Sequence, residues 1–142
     1  MRLKSELARR RFGVVSAAYE SRIEASDDPR KDLDRVSTFL GLTPLKECYM
    51  PVERKDAEAE LARVLEKDQA YETECLPTET AKRLASEFIG LFGPRARFFW
   101  NVDRVWEDGT KSWLGVSRAT FDRAIYAADD SAVGFVCVQD ED

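Results

Sequence analysis

From Ala96 onward, apolar residues recur at every second position: Ala96, Phe98, Trp100, Val102 and Trp106, interrupted by Arg104. Alternation of period two marks a strand buried on one face. Asp108-Gly109 follows, and Asp-Gly between apolar runs favours a type I′ hairpin, whose two central residues both need φ > 0. A second run, 111–117, returns beside the first. A two-residue turn sets Arg104 opposite Trp113, with guanidinium on indole; a bulge would shift that register by one. Over 120–128 the residues Phe121, Ile125 and Ala128 fit a helical face, whereas Phe121, Arg123, Ile125 and Ala127 fit a strand. The strand is preferred because Asp129-Asp130-Ser131 turns directly into 133–138, a run apolar on both faces and so interior to a sheet. The pattern predicts a four-stranded antiparallel β-meander over about 95–142.

Before residue 93 the spacing is helical. Ala8, Phe12, Val15, Tyr19 and Ile23 form one stripe over 1–25, weakened by Gly13. Asp28 and Pro29 suit the cap and first position of a second helix, with Leu33, Val36, Phe39 and Leu40 inward and Gly41 as its stop. A connecting segment with a brief extended piece follows. Residues 53–67 form a third helix, burying Ala57, Leu61, Val64 and Leu65 under an almost wholly charged outer face. Tyr71, Thr73 and Cys75 alternate as a short strand before Pro77. The fourth helix, 78–91, has Thr78 as N-cap, an apolar face of Ala81, Leu84, Ala85, Phe88, Leu91 and Phe92, and Gly93-Pro94 as its end. Helices first and strands last give an α+β fold, one domain over 1–142, with the last helix packed on the meander.

Composition narrows the chemistry. The 142 residues carry a net charge of −5, which argues against a general nucleic-acid binder and for a neutral or basic partner. Three cysteines without short spacing fit a reducing cytoplasm rather than a disulfide framework. No long apolar run marks a signal peptide or membrane span. Histidine is absent, so Ser-His-Asp and Cys-His catalysis are excluded, and the commonest zinc ligand is missing. No Gly-rich phosphate loop or C-x-x-C pair occurs, and no cofactor or metal is expected. A site of carboxylates alone remains: Glu72 and Glu74 would share a strand face beside Tyr71, against a plain reading as a charged sheet edge.

The acidic end offers a second candidate. Asp129, Asp130, Asp140, Glu141 and Asp142 are five acids among the last fourteen residues, without a base. Read as a surface rather than a solvated turn and tail, they would hold a basic protein partner, with Trp106 and Trp113 as anchors and Trp100 in the core. The ten residues 2–11, with five bases against Glu6, read as a solvated helix face.

The order LEKDQAYETECLPTETAKRLASEFIGLFG, then an aromatic strand, SW, ATFD and a terminal GFVCVQDED, over about 65–142, resembles small acidic bacterial immunity proteins. That resemblance leaves the N-terminal helices unmatched. It implies a cytoplasmic inhibitor that binds a toxin or effector domain stoichiometrically and performs no reaction. It carries over no functional residues. The expectation is therefore a non-catalytic binding protein, with a carboxylate-dependent or metal-assisted enzyme as the alternative.

Overall fold

Residues 2–10, 13–22 and 28–141 are described by a computed structural model. Among them the chain runs α1 (Arg2–Leu7), β1 (Val14–Ser21), α2 (Pro29–Phe39), a 3₁₀ turn at Lys46–Cys48, β2 (Met50–Val52), α3 (Arg54–Glu66) and α4 (Thr78–Ile89). It then continues through β3 (Arg97–Trp100), β4 (Val102–Val105), β5 (Lys111–Trp113), β6 (Phe121–Ala128) and β7 (Ala132–Asp140). The fold is α+β, with helices mainly in the first half and strands mainly in the second. No helix is long and apolar enough to cross a membrane, among the described residues.

The main sheet is antiparallel, in the order β1-β7-β6-β3-β2. β7 is buried nearly throughout because both faces are covered. On one face, Ile125, Ala127, Val136 and Val138 pack with Leu61, Leu65, Leu84 and Phe88 from α3 and α4, and with Leu3 and Leu7 from α1. On the other, Tyr126, Val133, Phe135 and Cys137 meet Leu33 and Val36 of α2, then Leu42, Leu45 and Tyr49. Alternate residues of one strand thus feed two cores, which is why 133–138 reads as a continuous apolar run.

Several boundaries differ from the pattern. The helix expected over 1–25 stops at Leu7, and β1 takes its second part. Gly13, at φ +71°, stands immediately before β1. Val14, Val15 and Tyr19 favour a pleated surface, and the spacing of Val15 and Tyr19 satisfies period two as well as the helical stripe. Phe12 and Ile23, also on that stripe, lie outside the described residues. In α2, the Asp28 side chain accepts from Arg30 N–H at 3.0 Å, as expected of the cap. Leu33 and Val36 are buried, but Phe39 is 85% exposed and Leu40 39%. Gly41 at φ +79° lets Leu42 N–H donate back to the Ser37 carbonyl, so Leu42 turns inward in their place.

α3 buries the four expected residues and also Glu60, a charge the pattern had left on the outer face. The segment 71–76 is a loop rather than a strand. Asp68 accepts the Ala70 and Tyr71 N–H groups at 2.8 and 2.7 Å, Glu72 sits at φ +56°, and one bridge joins Lys67 to Glu74. α4 has Pro77, not Thr78, at its N-cap, and the Thr78 hydroxyl is bonded to Glu66. Leu91 is exposed beyond its end.

The meander is divided. Asn101, fully buried, splits the expected first strand into β3, in the main sheet, and β4, which pairs only with β5. Its Nδ2 donates to the Leu114 carbonyl and to Asp122 Oδ1, both at 2.9 Å, and its Oδ1 accepts the Ala124 N–H at 2.9 Å. Asp122 in turn accepts the Val116 and Ser117 N–H groups at 3.0 Å and the Ser117 hydroxyl at 2.8 Å. This buried pair ties both ends of the β4–β5 excursion to β6. Within 120–128 the chain is a strand, Phe121–Ala128, as the turn after it implied.

Candidate functional site

The acidic residues singled out in the sequence are not one surface. β7 is nine residues long, so its two ends are about 30 Å apart. At one end the Asp129 carboxylate accepts the Gly93, Ser131 and Ala132 N–H groups at 3.0, 2.9 and 2.8 Å. Partial burial works to raise its pKa, but those backbone donors outweigh it and hold the group below the ordinary aspartate value. Asp130 beside it is exposed.

At the other end, Asp140 is fully buried and unavailable to a partner. It receives Arg10 through both terminal nitrogens, the Gln69 N–H at 3.0 Å and the Gln69 side-chain amide at 2.8 Å. One base of the 2–11 run, read as solvated, thus satisfies one acid of the tail. Glu141 is exposed and accepts the Thr120 hydroxyl at 2.7 Å. Asp142 lies outside the described residues.

The two tryptophans lie on the β4–β5 ribbon, in unlike settings. A shift in register between Val102 and Arg104 places Arg104 opposite Ser112 and Trp113 opposite Val102. The guanidinium of Arg104 therefore lies 4.6 Å from the Trp106 ring centroid rather than on Trp113. Only Gly109 has positive φ in the turn, so the hairpin is not type I′. Instead Gly109 N–H donates to the Trp106 carbonyl, Trp106 N–H to that of Thr110, and Asp108 accepts the Thr110 N–H at 2.9 Å. That last bond, first among its interactions, holds the Asp108 pKa below the ordinary value. Trp113 is half-buried, stacked on Phe121 with centroids 5.7 Å apart.

Residues 103–110 are all exposed, including Val105 and Trp106 at 51% and 41%. Trp106 carries the Arg104 guanidinium over its ring, Val105 is paired with Lys111, and Asp103, Glu107 and Asp108 are exposed next to them in sequence. The sequence pointed to Trp106 as an anchor but to Asp108-Gly109 as a turn alone, and not to Asp103, Glu107 and Asp108 as exposed acids near it.

Beneath the ribbon is a groove of about 500 Å³, lined by Asp56, Ala59, Glu60 and Arg63 of α3 and by Trp100, Val105 and Lys111. Glu60 anchors it. Its two oxygens accept Arg63 Nε at 2.6 Å and Nη2 at 3.2 Å, and Arg123 Nη1 donates to the second. Burial works to raise the Glu60 pKa, but Arg63, Arg123 and Lys111 together hold it below the ordinary value. For Arg123 burial is the leading influence and lowers its pKa, with Glu60 opposing; the group stays protonated, as guanidinium does at any working pH. Its other face lies 5.5 Å from the Trp113 ring. In sequence, Glu60 and Arg63 resemble any helix surface pair. The one signal was Arg123, which with Asp122 beside it puts charge into a strand that is mostly apolar.

The carboxylates of the enzyme alternative do not converge. Tyr71, Glu72 and Glu74 are all exposed on a loop, and the neighbouring cavity of about 340 Å³ takes Tyr71, with Asp68, Thr73, Gly13 and Glu141, but neither glutamate. Cys75 is buried, its thiol set toward the Thr73 carbonyl. Among the described residues, no group of three or more Cys, Asp or Glu is placed to hold a metal ion. No family model, curated protein or solved structure matches the chain.

Proposed function

We propose that this chain is a non-catalytic binding protein, an inhibitor of the immunity type that holds a bacterial toxin or effector domain in the cytoplasm. The partner in this reading is a protein with a basic surface, not a nucleic acid. The observation that carries it is the β4–β5 ribbon: Trp106 exposed at its tip with the Arg104 guanidinium over the ring, and Glu107 and Asp108 exposed next to it in sequence, on a chain of net charge −5. An aromatic anchor within a charged rim is the usual composition of a binding hot spot, and like-signed acids steer a basic partner toward it. The Asn101–Asp122 pair supports this by fixing the root of the ribbon, so that its tip is presented without a large ordering cost.

The test uses two tagged baits in the native host, the natural chain and a Trp106→Ser, Glu107→Lys variant. The inhibitor reading expects one basic protein retained stoichiometrically by the first and lost by the second, and co-expression of the natural chain to relieve that protein's toxicity. Equal retention by both baits removes the ribbon as the contact; a retained protein without toxicity removes the inhibitor.

A further inference from the structure

We propose that the groove between α3 and the β4–β5 ribbon binds an anionic group, a carboxylate or a phosphate, carried on a planar apolar body. This goes beyond the protein-binding reading and does not rest on it. The spacing of Asp56, Ala59, Glu60 and Arg63 puts all four on one side of α3. Val105 and Lys111 of the ribbon stand opposite, and the half-buried Trp100 closes the groove. Its volume of about 500 Å³ is that of a small-molecule site.

The polar groups decide the ligand. Guanidinium offers five donors in a rigid fork. Glu60 takes the Arg63 Nε and one Nη2 hydrogen, which leaves the end-on Nη1/Nη2 pair without a partner among the described residues. That open pair is the geometry that receives carboxylate or phosphate in two parallel bonds. Glu60 also fixes the fork: its hydrogen bond, ahead of the opposing burial, raises the Arg63 pKa. Lys111 lines the same groove, half-buried, and forms no salt bridge among the described residues.

Glu60 is thus one carboxylate facing three cations, Arg63, Arg123 and Lys111. The other acid of the lining, Asp56, is seven residues from Arg63 along the helix, about 10 Å away. Outside the lining, Glu72 acts on Arg63 and Asp122 on Arg123, which leaves Lys111 as the cation with no acid bound to it in a salt bridge among the described residues. The result is a corner with an open guanidinium fork and a lysine beside an indole. An anion satisfies the corner, and a planar apolar body covers Trp100 and Val105.

The experiment is an NMR titration of the full chain, following the Arg63 Nε–H and Trp100 indole N–H signals. The probes are benzoate, phenyl phosphate, inorganic phosphate and benzylamine. Saturable shifts of both signals are expected with benzoate, phenyl phosphate or both, at least about tenfold tighter than inorganic phosphate. Which of the two binds tells carboxylate from phosphate. Lys111→Gln should weaken the aromatic anion about five- to tenfold and Lys111→Arg should restore it. Lys111 is chosen because its loss leaves Glu60 both arginines. No saturation with either aromatic anion, equal binding of benzylamine, or affinity indifferent to Lys111→Gln overturns the site.

Discussion

Arg10 and Asp140, 130 positions apart, meet as a closed fork, with Nη1 to Oδ1 at 2.5 Å and Nη2 to Oδ2 at 3.0 Å and neither side chain touching solvent. Gly13 lies against the pair, where a Cβ would overlap Asp140 Oδ1 and come within 2.7 Å of Arg10 Nη1. Removing one member leaves the other charge buried. Asp140→Ala is expected to cost about 3–5 kcal/mol in urea unfolding, while Glu141→Lys, one residue on and exposed, should change stability by less than about 0.5 kcal/mol. Equal effects at the two positions would mean that the fork is not made.

Glu60 gives the stability a dependence on acid. Its pKa is lower folded than the ordinary value of 4.5, so the unfolded chain takes up the proton first. Its contribution is complete above that ordinary value and is lost as pH falls through the lower, folded one. Compared with Glu60→Gln, the natural chain should therefore keep a constant stability margin from neutral pH to about pH 5, and a shrinking one below about pH 4.5. Denaturation midpoints across that range test the sign; a margin that widens on acidification would contradict it.

The ribbon should separate binding from folding. Trp106→Ala removes an exposed ring, and its effect on stability should stay within about 0.5 kcal/mol. Its effect on the partner complex should reach about 2 kcal/mol, a roughly thirtyfold loss of affinity. Calorimetry of the complex and thermal melts of the free chain give the two numbers. Comparable losses in both would make Trp106 a structural residue.

Gly134 tests the join of β1 to β7. A Cβ there would lie 2.6 Å from the Ala18 carbonyl oxygen and 3.0 Å from Phe92 Cζ, the first a backbone atom that cannot swing away. Gly134→Ala should cost about 1–3 kcal/mol. The loss should be local as well, with amide exchange in 14–21 rising before that in β6.

What the sequence discloses depends on how many partners a residue needs to reveal its role. α3 and α4 were legible because each buries one continuous stripe, and β7 because it is apolar on both faces. The first 25 residues misled because Val15 and Tyr19 satisfy both periods, and only the arrival of β7 decides for a strand. The division of the meander turns on Asn101, a residue whose meaning lies in bonds to Leu114, Asp122 and Ala124. The site was half visible. Trp106 could be found as an aromatic in an alternating run, whereas Glu60, Arg63 and Lys111 become a corner only once α3 lies beside the ribbon. Asp140 looked like surface because charge near a chain end is usually solvated, and nothing local announces Arg10.

The position of β7 also fixes when this protein can fold. β7 is the last strand in sequence, yet it lies between β1 and β6. Ser21 pairs with Ala132, so β1 has no neighbour until about 110 further residues have been made, a wait of roughly 5–20 s at usual rates of synthesis. Through that interval the nascent chain can form helices α3 and α4 but no complete sheet. Closing it joins the chain's two extremes in one late, non-local step, the kind that makes folding slow. A ribosome stalled anywhere before Ala132 would hold a chain with two half-built cores.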